Sequence, residues 1–256
     1  MSDFKNLIVE MTDGVARITL ARPKHNVLNI EMMNELNTLL ESLIADKELK
    51  CVVIRGDGKS WCAGVEVGDH KPDMVGEMVR VFGRIFELIN QLDVPIIAAV
   101  HGACLGGGME LAIGCDFIVA SESAKFGQPE IKLGFFPPYA VVRLQEIVGP
   151  AKAIEICTTG KTYTAGDALK LGFVSHVVED HHFDQAVIDM VEEIRYNSPL
   201  IIRMNKRAVK MTLGLPFAEA FQKSNDYFLN SLMKTQDTLE GIKSFEERRS
   251  PEWKNC

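Results

Sequence analysis

Three consecutive glycines, Gly106, Gly107 and Gly108, sit between an apolar run and an apolar-rich helix-former in the segment VHGACLGGGMELAIGCD (100–116), and few folds can use that arrangement. Pro95 precedes the run IIAAV, apolar at every position and therefore a strand buried on both faces, ending at Gly102. A short helix is expected from about Gly108. Glycines at such a turn let the backbone approach a ligand closely and aim N–H groups outward. The helix N-terminus adds the positive end of a dipole, which suits a developing oxyanion. Glu110 falls in the first turn of that helix. Taken alone, the segment reads equally well as a tight packing turn in which Glu110 only complements the dipole.

The surrounding chain alternates strands with helices. Residues 6–21 read as two short strands joined at Asp13-Gly14. Asn29 is placed to cap a helix with Ile30, Met33, Leu36, Leu40 and Leu43 at spacings of three and four. Residues 51–55 form a β-branched strand ending at Gly56, and 74–91 carry a second helical pattern. Residues 117–120 and 173–178 read as further strands, with helices over 151–157 and 164–171. This alternation predicts an α/β fold with right-handed crossovers. From about residue 183 only helix is expected, broken at Pro199 and turning at Gly214-Leu215-Pro216. The reading divides the chain into an α/β core over 1–195 and a helical region over 196–256 that caps the body or meets another subunit.

Two more segments carry candidate chemistry. In AKFGQPEIKLG (124–134), Pro129 stiffens the chain before Glu130. On its own Glu130 reads as a surface loop residue. Paired with Glu110, one carboxyl protonated and one ionised, it completes what addition of water needs: one group activates the water and the other gives or takes the carbon-bound proton. In GKSWCAGVEVGDH (58–70), Ala63-Gly64 ends a strand-to-turn run and the Val65 N–H is a candidate donor into a site. Neighbouring residues take plainer readings. His70 is a structural hydrogen-bond group, Asp69 and Asp73 cap the following helix, Glu66 faces solvent, His181-His182 is a solvated loop, and Met109 is packing.

Charge and cysteine usage narrow the function classes. The net charge of −7 repels phosphate backbones, so nucleic acid is not an expected partner, although a local basic patch can still hold an anionic ligand. The cysteines (Cys51, Cys62, Cys104, Cys115, Cys157, Cys256) show no C-x-x-C and no Cys/His pair at zinc spacing. They read as reduced, mostly buried thiols of a cytoplasmic protein without a metal site. The opening MSDFKNLIVE has no basic segment followed by an apolar run, so no signal peptide is expected. No stretch approaches the about 20 apolar residues that span a bilayer, so no membrane partner is expected.

In this order and at these separations, the three segments resemble the enoyl-CoA hydratase/isomerase (crotonase) family. CAGVEV (62–67) is similar to its first oxyanion loop, LGGGMELA (105–112) to its second, and KFGQPEIKLG (125–134) to its second-glutamate loop. The similarity runs from RPKHNVLN near residue 22 to EERRSPEW near residue 247. The resemblance implies a crotonase-like spiral of ββα units with a helical C-terminal region, assembled as trimers that pair into hexamers. It implies that the backbone N–H groups of Val65 and Gly107 hold the thioester oxygen and that Glu110 and Glu130 are the two catalytic glutamates. It places Ala63 and the segment with Lys24, His25 and Val27 where coenzyme A binds, and Phe245 where a neighbouring subunit contacts the far end of the ligand. No cofactor is implied beyond the coenzyme A of the substrate.

One departure bears on substrate. After Gly134 the common hydratase pattern is glycine-rich, whereas this chain reads FFPPYAVVRL. Phe135, Phe136, Pro137, Pro138 and Tyr139 put bulky, stiff residues beside Glu130. Together with DHKPD (69–73) and RRSPEW, this stretch is similar to the family branch that hydrates cyclohexa-1,5-diene-1-carbonyl-CoA. That similarity implies 1,4-addition of water to give 6-hydroxycyclohex-1-ene-1-carbonyl-CoA, with Phe135, Phe136, Pro138 and Tyr139 as pocket wall. The aromatic stretch also reads as a repacked apolar wall without specificity. The alternatives are a general short-chain or cyclohex-1-ene-carbonyl enoyl-CoA hydratase and, from another class, a non-enzymatic binding scaffold.

Overall fold

The computed structural model describes residues 4–256; Met1, Ser2 and Asp3, the head of the segment read for a leader, lie outside them. Asp13 and Gly14 take positive φ, 52° and 77°, and fold β1 (Leu7–Thr12) back antiparallel onto β2 (Val15–Leu20). Asn29 caps α1 (Ile30–Ile44), its side chain accepting from the Met32 N–H at 3.0 Å. Next come β3 (Cys51–Gly56), a 3₁₀ turn over Val67–His70, and α2 (Val75–Gln91), in which Met78, Val81, Phe82, Ile85, Phe86 and Ile89 make one buried apolar face. β4 (Ile96–Val100) is buried at every position, as its unbroken apolar run requires. It is followed by β5 (Ala103–Leu105), α3 (Gly107–Gly114), β6 (Phe117–Ser121) and β7 (Lys125–Gly127). A second 3₁₀ turn, Pro129–Leu133, precedes α4 (Ala140–Val148), α5 (Pro150–Thr159), β8 (Thr162–Thr164), α6 (Ala165–Leu171) and β9 (His176–Val178).

The strands form two sheets. The larger has the order β1-β2-β3-β4-β6-β9 and is parallel from β2 onward; the smaller is β5-β7-β8. The backbone of Cys62 makes an isolated β-bridge with that of Cys104 on β5, both thiols being free, and the backbone of Val65 makes one with Leu28, so the loop after β3 is stitched between the smaller sheet and the start of α1. Alternate residues of β3 serve two cores. Val52 and Ile54 pack into the main core with α1, α2 and α3, while Cys51 and Val53 meet Phe183 and Val191 of α7 (Phe183–Arg195) on the other face. Both faces of the sheet are therefore covered, the α/β arrangement expected.

Local differences from the sequence reading have physical causes. The strand expected over 173–178 begins at His176, because Gly172 closes α6 at φ 90° and the Val174 N–H still returns to Ala168 O at 3.4 Å. Asp69 caps a helix, but it is α1: its carboxylate accepts from the Ile30 N–H at 3.0 Å. Glu66 keeps a solvent-exposed side chain and also pairs with Arg22 at 3.1 Å, and His181 and His182 lie on an exposed 3₁₀ turn, as read.

Beyond α7 the chain is helical. Ser198 caps α8 (Pro199–Lys210), whose Pro199 occupies a position where a missing N–H costs nothing. Lys206 pins α8 to the core through Asp116 at 2.6 Å and Val94 O at 2.8 Å. α9 (Phe217–Asn230) and α10 (Gln236–Glu247) leave Phe217, Phe221, Phe228, Ile242 and Phe245 exposed. No helix among the described residues is long and apolar enough to cross a membrane.

Candidate active site

The turn from β5 into α3 is built around a backbone only glycine adopts freely: Gly106 has φ 52° and ψ −132°. A Cβ on Gly106 would stand 2.7 Å from Glu130 Oε1, so the carboxylate lies directly over the turn. A Cβ on Gly107 would stand 3.5 Å from the Val65 nitrogen and 2.5 Å from Val65 Cγ2. The two loops thus bring the N–H groups of Val65 and Gly107 side by side. Neither donates to a backbone partner outside a helix or strand among the described residues. Two adjacent, unclaimed N–H groups, one at a helix N-terminus, form a place for an anionic oxygen.

Glu110 is 2% exposed in the first turn of α3. Its Oε1 accepts from the backbone N–H groups of Tyr139 at 2.7 Å and Ala140 at 2.9 Å, the start of α4. That leaves Oε2 for the cavity. Burial pushes the Glu110 carboxyl up to about 7; the two N–H groups oppose the rise and the charge of Glu130 adds to it. Glu130, half-buried on the Pro129–Leu133 turn, is also pushed up to about 7 by burial, opposed by a backbone hydrogen bond of its own residue. Gln128 is fully buried, and with its amide nitrogen turned to Glu130 it donates to Oε1 and Oε2 at 3.1 and 3.0 Å; the other orientation would set oxygen against oxygen.

Both carboxylates line a cavity of about 560 Å³, with Ala63, Gly64 and Val65 on one side and Phe135, Phe136, Pro138 and Tyr139 on another. The helix α2 supplies the third wall, through Met78, Phe82 and Phe86 among others. Phe135 stacks on His70 with centroids 5.0 Å apart, and His70 Nδ1 lies 3.0 Å from Glu66 O. Lys24 and His25 are exposed and Val27 is half-buried; none of the three lines this cavity. They sit beside it: Ala63 N–H donates to His25 O at 3.0 Å, and Arg22 reaches both Val27 O at 2.8 Å and Glu66.

Sequence reasoning overlooked several residues. Gln128 stands two positions before Glu130 in the same motif, a signal that was legible. Asn26 is buried at φ 53° and its amide donates to Asp57 O and Ser60 O, both at 2.8 Å, tying the 22–28 segment to the loop before Ala63. Nothing local in the sequence announces that role. The α2 wall had its signal in the amphipathic pattern of 74–91, which says that a face is apolar but not what it covers.

The arrangement can hold an oxyanion at two N–H groups while two carboxyls near neutrality exchange protons beside it. The Enoyl-CoA hydratase/isomerase family model matches residues 10–256. A probable enoyl-CoA hydratase of Rhizobium meliloti is 38% identical over 98% of this chain and 99% of its own length. A cyclohexa-1,5-dienecarbonyl-CoA hydratase of Thauera aromatica is 30% identical over 96% of this chain and 95% of its own. The crystal structure of an enoyl-CoA hydratase from Bacillus anthracis superposes with a TM-score of 0.93 at 30% identity, covering 98% of this chain and 100% of that one.

Proposed function

The chain belongs to the enoyl-CoA hydratase/isomerase family, and from that premise we propose how this hydro-lyase adds water to an enoyl-CoA and which one it prefers. The thioester oxygen lies against the N–H groups of Val65 and Gly107. Charge moves onto that oxygen as water attacks the conjugated carbon, and the two donors stabilise it without a metal or a redox cofactor. Glu110 and Glu130 divide the remaining work. The ionised member takes a proton from water, and the protonated member delivers one to carbon. The observation that carries this reading is the pair of carboxyls, both raised to about 7, in one cavity with two unclaimed N–H groups. Near neutral pH such a pair holds one proton between its members.

The preferred substrate in this proposal is cyclohexa-1,5-diene-1-carbonyl-CoA. Hydroxide adds to the ring carbon next to the one that bears the thioester, the proton goes to the far end of the diene, and the remaining double bond moves between them. The product is 6-hydroxycyclohex-1-ene-1-carbonyl-CoA. The wall of Phe135, Phe136, Pro138 and Tyr139 supports it, since a flat rigid ring needs a broad stiff apolar surface to hold both carbons against the two carboxyls. The Thauera aromatica relative supports it by its name. A general enoyl-CoA hydratase is the second reading, favoured by the higher identity of the Rhizobium meliloti relative. We also propose that the exposed apolar faces of α9 and α10 meet second copies of the chain in a trimer or a pair of trimers, the common closed outcome for such faces. Purified protein assayed on crotonyl-CoA, cyclohex-1-ene-carbonyl-CoA and the cyclic diene thioester is expected to show its highest kcat/KM on the diene. Replacing Phe135 and Phe136 together by smaller residues should lower that activity more than the crotonyl activity. A preference for crotonyl-CoA, or equal losses, overturns the diene assignment in favour of the general hydratase.

A further inference from the structure

The acyl cavity meets a second space across a pair of stacked rings. Phe86 of α2 and Tyr139, just before α4, stack with centroids 3.6 Å apart and planes within 6°. Both rings line the cavity that holds Glu110 and Glu130, and both line a second, larger cavity of about 1170 Å³ beyond it. That second space lies between α4, α7 and α8, with Ile89, Val142, Ile194, Ile201 and Val209 among its walls. Glu87 is the third residue common to both, and its carboxylate is engaged by Arg84 at 2.9 Å.

The pair is firmly seated. Phe86 packs edge-on against Phe82 at 4.9 Å. Gly114, at the end of α3, leaves just enough room for it: a Cβ there would stand 3.1 Å from Phe86 and 3.6 Å from Tyr139. The Tyr139 N–H donates to Glu110, so a large displacement of Tyr139 would also disturb the group that holds this carboxylate. An acyl chain too long for the first cavity must wedge these rings apart, and doing so would misalign Glu110.

We propose that the Phe86–Tyr139 stack is a bulkhead between the two cavities and sets the upper size of the acyl group, admitting short or compact acyl-CoA thioesters and excluding long straight chains. This rests on the enoyl-CoA hydratase reading and adds a size limit to it.

The test compares crotonyl-, octenoyl- and decenoyl-CoA with wild type, Phe86→Ala and the milder Phe86→Leu, each first shown to be folded. The wild-type kcat/KM should fall steeply with chain length. Each extra methylene that finds apolar contact is worth up to about 4-fold in binding, so the variants should raise the decenoyl-to-crotonyl ratio by roughly 10-fold. Adding Ile201→Trp, which narrows the second cavity beside the stack, should diminish that gain. The bulkhead is overturned if wild type takes decenoyl-CoA as well as crotonyl-CoA. It is also overturned if folded Phe86→Leu leaves the ratio unchanged, or if the gain survives Ile201→Trp undiminished. Failure of wild type to hydrate any enoyl thioester would instead overturn the hydratase reading. The bulkhead is then read from binding alone, as the same shift in affinity for decanoyl-CoA relative to butyryl-CoA.

Discussion

Glu110 and Glu130 are the same residue type in one cavity, both raised to about 7, yet the fold holds them by different means. Glu110 is buried in a helix and clamped by two backbone N–H groups of a second helix, 29 and 30 residues further on. Glu130 stands half-buried on a 3₁₀ turn, over the bare backbone of Gly106 and beside the Gln128 amide. One position is set by how two helices pack; the other is set by one turn lying against another. Two carboxyls raised chiefly by burial thus sit in two mechanical environments, and perturbations should separate them.

The largest effects come from removing the carboxyls. Glu110→Gln and Glu130→Gln are each nearly isosteric and cannot exchange a proton, so each should keep coenzyme A binding and lose hydration by roughly 10²–10⁴-fold. Near-full turnover in either variant would make that residue structural. Gly106→Ala comes next and acts on one member only. The new methyl would meet Glu130 Oε1 in a backbone conformation alanine resists, leaving the α4 clamp on Glu110 untouched. A displacement of about 1 Å costs on the order of 10²-fold in rate, and kcat should carry most of it. Equal damage from Gly106→Ala in an enzyme already carrying Glu130→Gln would show that the methyl acts elsewhere.

The proton shared by the pair gives the next effect. With both carboxyls near 7, the state with one protonated and one ionised is most populated near neutrality, and kcat/KM should follow a bell with its maximum about pH 7. Each limb should fall about 10-fold per pH unit well away from the maximum. A profile flat from acid to alkaline pH would break the claim that the two titrate together.

The same contrast between the two carboxyls separates what is legible in the sequence from what is not. Glu130 and Gly106 belong to short motifs, and their importance to one site was legible in QPE and LGGG; the structure puts both in the lining of one cavity. The capping of α1 by Asn29 was legible for the same reason, since the interaction spans three residues. The clamp on Glu110 was not, because its partners are main-chain atoms of Tyr139 and Ala140, whose side chains carry no sign of the role. α4 itself went unread behind two prolines. β5, β7 and β8 have three residues each, too few for an alternating pattern to stand out, so the small sheet that carries the glycine turn emerges only from tertiary pairing. Lys24, His25 and Val27 were placed by resemblance, and they stand beside the acyl cavity, not in its wall.

The smallest effect is on stability, and it sharpens the contrast between the two carboxyls. A folded-state carboxyl raised from 4.5 to about 7 binds its proton more tightly than the unfolded chain does. Stability therefore falls as pH rises from about 4.5 to 7, and the loss is complete above that window. Glutamine carries no charge to bury, while its amide oxygen can still accept from Tyr139 and Ala140. Glu110→Gln should accordingly be more stable than wild type at pH 8, on the order of 1–3 kcal/mol, with the difference vanishing toward pH 4.5. Glu130 is half-buried and reachable by water, so Glu130→Gln should gain less. Urea unfolding of the three proteins at both pH values measures this directly. If Glu110→Gln were less stable than wild type at pH 8, the α4 N–H pair would be stabilising the carboxylate more than burial destabilises it, and Glu110 would stay ionised where the shared-proton reading needs it to titrate.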